Sequence, residues 1–143
     1  MNESLQAKYR ELSFPPDVAI MFADIIESDE AAKKVCFFIG KALQKQKNEE
    51  HSFSGVTISE IVENVKLERK TRSGKGKNYT YNTTTTNIHR KTAENIVDKL
   101  LDMSLLHYKS IKPYKFIFLT RRGVQVLEEL LKRSKQSNTR SVQ

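Results

Sequence analysis

The sequence predicts a mainly helical fold that carries one small antiparallel β-ribbon. Apolar residues recur every three or four positions in several segments, which is the spacing of an amphipathic helix. Two short runs rich in strand-forming residues flank a Lys-Pro turn near the C-terminus, which is typical of a hairpin. The length of 143 residues fits one domain, and a domain of this size buries roughly two thirds of its unfolded surface without needing disulfides.

The first 29 residues predict a leader and one helix. Residues 1–13 have mixed charge and predict a poorly anchored leader. Pro16 followed by Asp17 is a helix start signal, and it predicts a helix over 17–27. The apolar face of this helix would comprise Val18, Met21, Phe22, Ile25 and Ile26.

A longer helix is predicted over about residues 30–47, after an N-cap at Ser28 or Asp29. Its buried stripe would comprise Ala32, Val35, Cys36, Ile39 and Leu43, with a solvated lysine face opposite. Cys36 falls on the apolar stripe, so we interpret it as a core residue and not as a nucleophile.

The centre of the chain predicts a short helix followed by a basic insertion. Thr57 and Glu60 have the spacing of a capping box, and the helix that they open would turn Ile58, Ile61, Val62 and Val65 inward. Residues 66–86 have almost no apolar side chains, so the sequence predicts a loop, partly extended at 79–85. A solvated insertion is one interpretation of this segment. We favour a basic arm that orders on a phosphate backbone.

The last third predicts a helix, the ribbon and a final helix. The helix over about 89–103 would bury Ala93, Ile96, Val97, Leu100 and Leu101. The ribbon would pair 105–108 with 115–119, and Thr120 would cap a helix that buries Val124, Leu127, Leu130 and Leu131. We therefore divide the chain into 1–29, a central domain over 30–131 with an insertion at 66–86, and a flexible basic tail over 132–143.

Charge and composition narrow the classes of function. The net charge of +8 favours polyanions such as nucleic acid or an anionic surface. A single cysteine, a charged N-terminus and the absence of a long apolar run predict a cytoplasmic protein with no membrane partner. His51, His89 and His107 lack metal-ligand spacing, and no phosphate loop or paired catalytic carboxylates occur, so we predict a non-enzyme without metal or cofactor.

Three segments carry a resemblance to a known superfamily. TISEIVENV (57–65), TAENIVDKLLDMSLLHY (92–108) and LTRRGVQVLEELL (119–131) resemble the helices, wing and following helix of winged helix-turn-helix proteins, notably MarR-like and PadR-like bacterial regulators. Leu119, Thr120 and Gly123 match the Leu-Thr-x-x-Gly form of that family. Ser104 stands where the family usually has glycine, and the 66–86 insertion replaces its tight turn.

The resemblance implies a double-stranded DNA-binding protein that regulates transcription as a homodimer. Candidate major-groove residues are Arg90, Lys91, Thr92, Asn95 and Lys99, since arginine pairs well with guanine and asparagine with adenine. Candidate wing residues are Lys112, Tyr114 and Lys115. Lys70, Arg72, Lys75 and Lys77 would contact phosphates.

Several alternatives stay open at the level of sequence. The chain could serve plasmid or phage partition or replication control, or could bind single-stranded DNA, RNA or another protein. The apolar faces of helices 17–27 and 121–132 could pair across a two-fold axis, or could complete the core of a single copy. No small-molecule effector is identified.

Overall fold

The computed structural model describes residues 3–49, 55–76 and 78–141, and the side chains of 69, 71–73, 75, 78–79 and 137–141 lie outside that description. The predicted fold class is confirmed: within the described residues the protein is mainly helical and has two small antiparallel strand pairs. The elements in chain order are α1 (Glu3–Lys8), α2 (Pro16–Glu27), α3 (Glu30–Asn48), α4 (Ile58–Asn64), β1 (Lys66–Lys75), β2 (Asn78–Asn87), α5 (Arg90–Asp102), β3 (Leu106–Ile111), β4 (Tyr114–Leu119) and α6 (Arg121–Ser141).

Helices α3 and α5 form the centre of the core, and each buries the stripe that its periodicity predicts. The residues that α3 buries are Ala32, Val35, Cys36, Ile39 and Leu43, and those that α5 buries are Ala93, Ile96, Val97, Leu100 and Leu101. The Asp29 carboxylate caps α3 by accepting a hydrogen bond of 3.1 Å from the Ala32 N–H. Burial, and secondarily the Asp29 charge, raises the pKa of the Cys36 thiol to about 12, which fits a core residue.

Short polar caps set the starts of α4 and α6, as the sequence predicts. The Thr57 hydroxyl accepts from the Glu60 N–H at 3.2 Å, and the Thr120 hydroxyl accepts from the Gly123 N–H at 3.0 Å. Gly123 packs against the chain that precedes β3. A Cβ at this position would overlap the Leu105 carbonyl oxygen, so the Leu-Thr-x-x-Gly pattern has a packing reason here.

The predicted buried faces of α2 and α6 are partly wrong. Helix α2 buries Ala19, Ala23 and Ile26. On α6 the buried residues include Val126 and Leu130. The side chains that remain exposed are Met21 (49%), Ile25 (39%), Val124 (41%) and Leu131 (43%). The two helices pack against each other and against α3. The small alanines of α2 occupy the centre of this contact, and these four larger apolar side chains lie at its exposed edge.

The leader predicted to be poorly anchored is held by a buried arginine. Arg122 of α6 donates to the carbonyls of Tyr9 at 2.9 Å and Leu12 at 3.2 Å, and its Nε donates to Ser104 at 3.2 Å. The Gln125 side chain holds both backbone polar groups of Phe14. At the other end of the chain, α6 continues to Ser141, so the segment predicted to be a flexible tail is helical up to that residue.

The segment predicted as a loop at 66–86 is a regular β-hairpin. Strands β1 and β2 pair antiparallel over ten residue pairs, from Lys66–Asn87 to Lys75–Asn78. The turn contains Gly76 at φ +66°, in the left-handed region that suits glycine. Apolar alternation is absent from both strands, so strand propensity was the only sequence signal for this element.

Strands β3 and β4 form the predicted ribbon around the Lys112-Pro113 turn. Val56 adds one antiparallel bridge at its edge, with hydrogen bonds to Ile117 of 2.9 and 2.8 Å. The order from α3 through Val56, α4, α5 and the ribbon is the order expected of a winged helix, interrupted by the β1–β2 hairpin. The winged-helix assignment itself stays a prediction.

Candidate nucleic-acid interface

The outward face of α5 displays most of the predicted base-contacting residues. Lys91, Asn95 and Lys99 are exposed, and Thr92 is half-buried at the edge of the helix face. This arrangement follows from the helical period, because the buried stripe occupies the opposite side of α5. Asp98 and Asp102 lie on the same outward face, so its positive charge is concentrated at the N-terminal end of the helix.

Two of the predicted cations already have partners within the chain. Arg90 Nε lies 3.2 Å from Glu94 Oε1, and Arg90 Nη1 donates to the Ser59 hydroxyl at 3.3 Å. Lys99 Nζ lies 3.7 Å from Asp29 Oδ2 at the start of α3. Exposed ion pairs of this kind contribute about 0–1 kcal/mol, so a phosphate or a base edge could replace either one at small cost.

The turn of the ribbon carries an exposed cation and an exposed aromatic ring. Lys112 is exposed, and Tyr114 is 58% exposed. Lys115 is half-buried because its ammonium lies 4.3 Å from the centre of the Tyr108 ring. Lys115 is therefore held against the ribbon surface, while Lys112 and Tyr114 project from the turn.

A groove of about 300 Å³ joins these two elements. Helix α5 contributes Arg90, Glu94 and Asp98 to one wall, and the ribbon contributes Tyr114 and Lys115 to the other. Of the predicted residues, the structure brings Arg90 of the helix together with Tyr114 and Lys115 of the wing. The other predicted helix and wing residues lie outside the groove lining, namely Lys91, Thr92, Asn95, Lys99 and Lys112. The structure also reveals two carboxylates on the wing side of α5, to which the sequence interpretation assigned no role. Their charge would direct a phosphate backbone toward the rim of the groove and away from its floor.

The β1–β2 hairpin leads directly into this site. Ile88, which is buried, connects β2 to α5 and donates a backbone hydrogen bond of 2.9 Å to Val65 before β1. Lys70 is exposed on the hairpin, and Tyr81 on the opposite strand is 64% exposed. The Arg72 and Lys75 side chains and the whole of Lys77 lie outside the described residues, so their predicted phosphate contacts stay predictions.

A second and larger groove lies away from α5, and the sequence interpretation missed it. It has a volume of about 1130 Å³ and runs between α3, α6 and β4. Its apolar lining includes Phe37, Leu127 and Leu131, and Gly40 allows Leu127 to pack closely on α3. At one end lies His107, whose ring stacks on Phe118 with the ring centres 5.3 Å apart. Burial, and then the nearby Arg10 charge, lowers the pKa of His107 below its usual 6.5.

Residues 22–134, more than half of the chain, match a family model described as the SLAP domain, so the protein belongs to the SLAP-domain family. No curated protein and no solved structure matches the chain. Within the described ranges, no helix is both long and apolar enough to span a membrane. The same ranges contain no group of three or more His, Cys, Asp or Glu side chains placed to hold a metal ion.

Proposed function

We propose that this protein binds double-stranded DNA in a sequence-specific manner and regulates transcription as a homodimer in the cytoplasm, without catalysis or cofactor. The observation that carries the proposal is the meeting of α5 and the ribbon turn at one groove, beside a basic hairpin. A helix with a flanking ribbon is a common way to address the major groove and the adjacent backbone.

Each element would have its own part in binding. Asn95 and Lys91, together with Arg90 once it leaves Glu94, would contact base edges in the major groove. Lys112 and Tyr114 would follow the backbone beside it. The cations of the hairpin would bind phosphates and add affinity that does not depend on sequence.

The homodimer has two candidate surfaces. The first is the one that the sequence predicts, formed by the apolar faces of α2 and α6. These helices pack on each other within one chain, yet Met21, Ile25, Val124 and Leu131 remain exposed. The second surface is the outer edge of the hairpin, which is considered below.

Selection of bound duplexes from a random pool tests the proposal. We expect a consensus with two-fold symmetry, because a homodimer presents two identical helices to the DNA. Enrichment of no sequence, together with equal affinity for all duplexes, would refute sequence-specific binding. Protection that spreads over adjacent direct repeats would instead favour the partition or replication-control function.

Exposed aromatic rings favour single-stranded nucleic acid as a second candidate. Tyr81 and Tyr114 are both more than half exposed and lie on basic elements, where bases could stack on their rings. Competition between duplex DNA, single-stranded DNA and structured RNA for one labelled probe separates this function from the first. Displacement by single strands at lower concentration than by duplex would favour it.

The apolar α3–α6 groove favours a protein partner as a third candidate. The name of the SLAP-domain family model refers to a secretion accessory, and a groove between two helices suits an amphipathic helix of another protein. Phe37→Ser, at a residue of this groove that lies outside both candidate dimer surfaces, would weaken such docking and would leave nucleic-acid binding unchanged. The same variant therefore distinguishes the two kinds of partner.

A further inference from the structure

The β1–β2 hairpin extends away from the body of the protein. Its base is fixed by the buried Val65 and Ile88 and by the half-buried Leu67, and Lys34 of α3 donates to the Lys66 carbonyl at 3.2 Å. Beyond this base, every side chain that the structure describes on the two strands is exposed. A two-stranded ribbon without an apolar face is marginally stable in water, so this arm is expected to gain stability from a further strand.

The two edges of the arm differ in charge. Strand β1 carries five cations and one carboxylate, at Lys66, Glu68, Arg69, Lys70, Arg72 and Lys75. Strand β2 is NYTYNTTTTN and contains neither a charged residue nor a proline. Charged side chains and prolines are the usual protection of an edge strand against pairing with another chain. The β1 edge has this protection and the β2 edge lacks it.

We propose that β2 pairs antiparallel with β2 of a second copy, which produces a four-stranded sheet in the order β1–β2–β2–β1. The proposal rests on the homodimer of the proposed function but not on its DNA binding. An isologous contact of this kind uses the same surface of both copies. Alternate residues of an edge strand direct their backbone groups outward, so two uncharged edges can form a continuous ladder.

Charge favours the β2 edge over the β1 edge as the surface at which two copies pair. In the proposed sheet the two β1 strands are separated by three inter-strand spacings of about 4.8 Å each, or roughly 14 Å. This separation exceeds the Debye length of about 8 Å at physiological salt, so the cations of the two copies are largely screened from each other. Pairing through β1 would place those cations directly opposite one another, which is destabilising.

Cysteine cross-linking at one level of the hairpin provides the test. Thr83 and Lys70 face each other across the strands and are both exposed, so Thr83→Cys and Lys70→Cys differ mainly in which edge carries the thiol. Full overlap of the two β2 strands puts Thr83 opposite Asn82 of the second copy, so a variant with both Asn82→Cys and Thr83→Cys covers that register. Thr84→Cys and Thr85→Cys extend the scan to registers whose two-fold axis passes through one of those residues. Cys36 is buried with a raised pKa and should stay unreactive in all variants.

We expect mild oxidation, without DNA, to give a disulfide-linked dimer for at least one β2 variant. Its yield should exceed that of Lys70→Cys by about tenfold or more, because only β2 positions approach their own copies within disulfide distance. Equal yields from both edges, or no dimer from any β2 position, would overturn the proposal. Protection of Thr83→Cys from alkylation by added duplex alone, without a disulfide dimer, would assign the edge to nucleic acid and would also overturn it.

Sedimentation measures dimerisation independently of cross-linking. The two substitutions used here are at exposed positions of the hairpin and leave the core unchanged. Thr85→Lys places a positive charge on the β2 edge, and Glu68→Lys exchanges a carboxylate for a cation directly across the arm on the β1 edge. We expect Thr85→Lys to raise the dimer dissociation constant by about tenfold or more and Glu68→Lys to change it little. A wild-type protein that is monomeric at high micromolar concentration, or a dimer unaffected by Thr85→Lys, would refute the β2 interface. Failure of DNA binding alone would leave both results unchanged.

Discussion

Arg122 is a buried cation that fixes the N-terminal segment to the start of α6. It is 8% exposed, and it donates to three backbone carbonyls, those of Tyr9, Leu12 and Ser104. We expect Arg122→Ala to lower the free energy of unfolding by about 2–4 kcal/mol, because three carbonyls around a buried position would be left without their charged donor. Urea denaturation measures this change.

Arg121 provides the matched control for that substitution. Its side chain is exposed, and its backbone N–H reaches the N-terminal segment by donating to Arg10 O at 2.8 Å. Arg121→Ala keeps that bond and should change stability by less than about 0.5 kcal/mol. An equal decrease for both variants would show that charge at the start of α6, and not the hydrogen bonding of Arg122, is responsible.

His107 links stability to pH. Burial, and then the Arg10 charge, lowers its pKa in the folded state below 6.5, so the unfolded chain takes up the proton first as the pH falls. The stability contributed by neutral His107 is therefore complete above about pH 6.5 and is lost as the pH falls through the folded-state pKa.

We expect His107→Gln to flatten the decline of unfolding free energy that occurs as the pH falls below about 6.5. Urea denaturation at several pH values provides the measurement. An NMR titration of the His107 ring that gives a pKa at or above 6.5 would contradict the expected direction.

Substitution of Asn95 tests whether α5 contacts DNA bases in a sequence-specific manner. It is exposed on the outward face of the helix, so Asn95→Ala should leave the fold intact. We expect binding to the selected consensus to weaken by roughly 1–3 kcal/mol and binding to random duplex to change little, because a bidentate hydrogen bond with adenine would disappear. Asp102→Ala at the far end of α5 is the control. Equal weakening on every duplex would remove the base-reading role of Asn95.

At the scale of elements, helices with a clear apolar stripe could be predicted from the sequence and the hairpin could not. In α5 the apolar residues are the five that the core buries. In α3 the periodic stripe is buried and the apolar residues beside it are partly buried, so in both helices the helical period identifies the buried stripe. In α2 and α6 there are more apolar residues than the core covers. Which of them are buried depends on how closely the helices approach, and local sequence does not encode that distance.

The candidate site also contains some features that local sequence predicts and others that depend on packing between elements. The exposure of Lys91, Asn95 and Lys112 follows from local periodicity and turn chemistry. The pairing of Arg90 with Ser59 and Glu94, and the position of Asp98 beside the ribbon, depend on packing between elements. The hairpin gave little signal, since strands without an apolar face lack the alternation by which strands are recognised.

The basic strand of the hairpin should supply salt-dependent affinity. We expect the double substitution Lys75→Ala with Lys77→Ala to weaken binding to all duplexes alike and to reduce the salt slope by about two units, one for each phosphate that is no longer neutralised. Lys41→Ala with Lys45→Ala, on the exposed lysine face of α3, removes the same charge from a surface outside the proposed interface. An equal change in slope for both pairs would show that total charge, and not the hairpin, determines the salt dependence.

At the scale of the whole molecule, the hairpin connects the proposed dimer interface to the helix that would read DNA. Strand β2 ends at Asn87 and α5 begins at Arg90, so the base of the arm lies beside the N-terminus of α5. Ten residues of strand span about 33 Å. If two β2 strands overlap fully, the two arm bases lie at opposite ends of the ladder. The N-termini of the two α5 helices are then about one turn of B-DNA, or about 34 Å, apart.

This geometry predicts two inverted half-sites whose centres are separated by about 10 base pairs. Removing the pairs Arg72–Tyr81 and Ser73–Thr80 shortens each strand by two residues, or about 7 Å, and keeps the alternation of the faces. We expect the distance between half-site centres in duplexes selected by the shortened protein to decrease by about two base pairs, at roughly 3.4 Å per base pair. Replacing Arg72, Ser73 and Tyr81 by threonine keeps the length and should keep the spacing. A spacing that stays constant when the arm is shortened would refute full overlap of the two β2 strands, because strands that overlap along their whole length cannot be shortened without bringing the two arm bases closer.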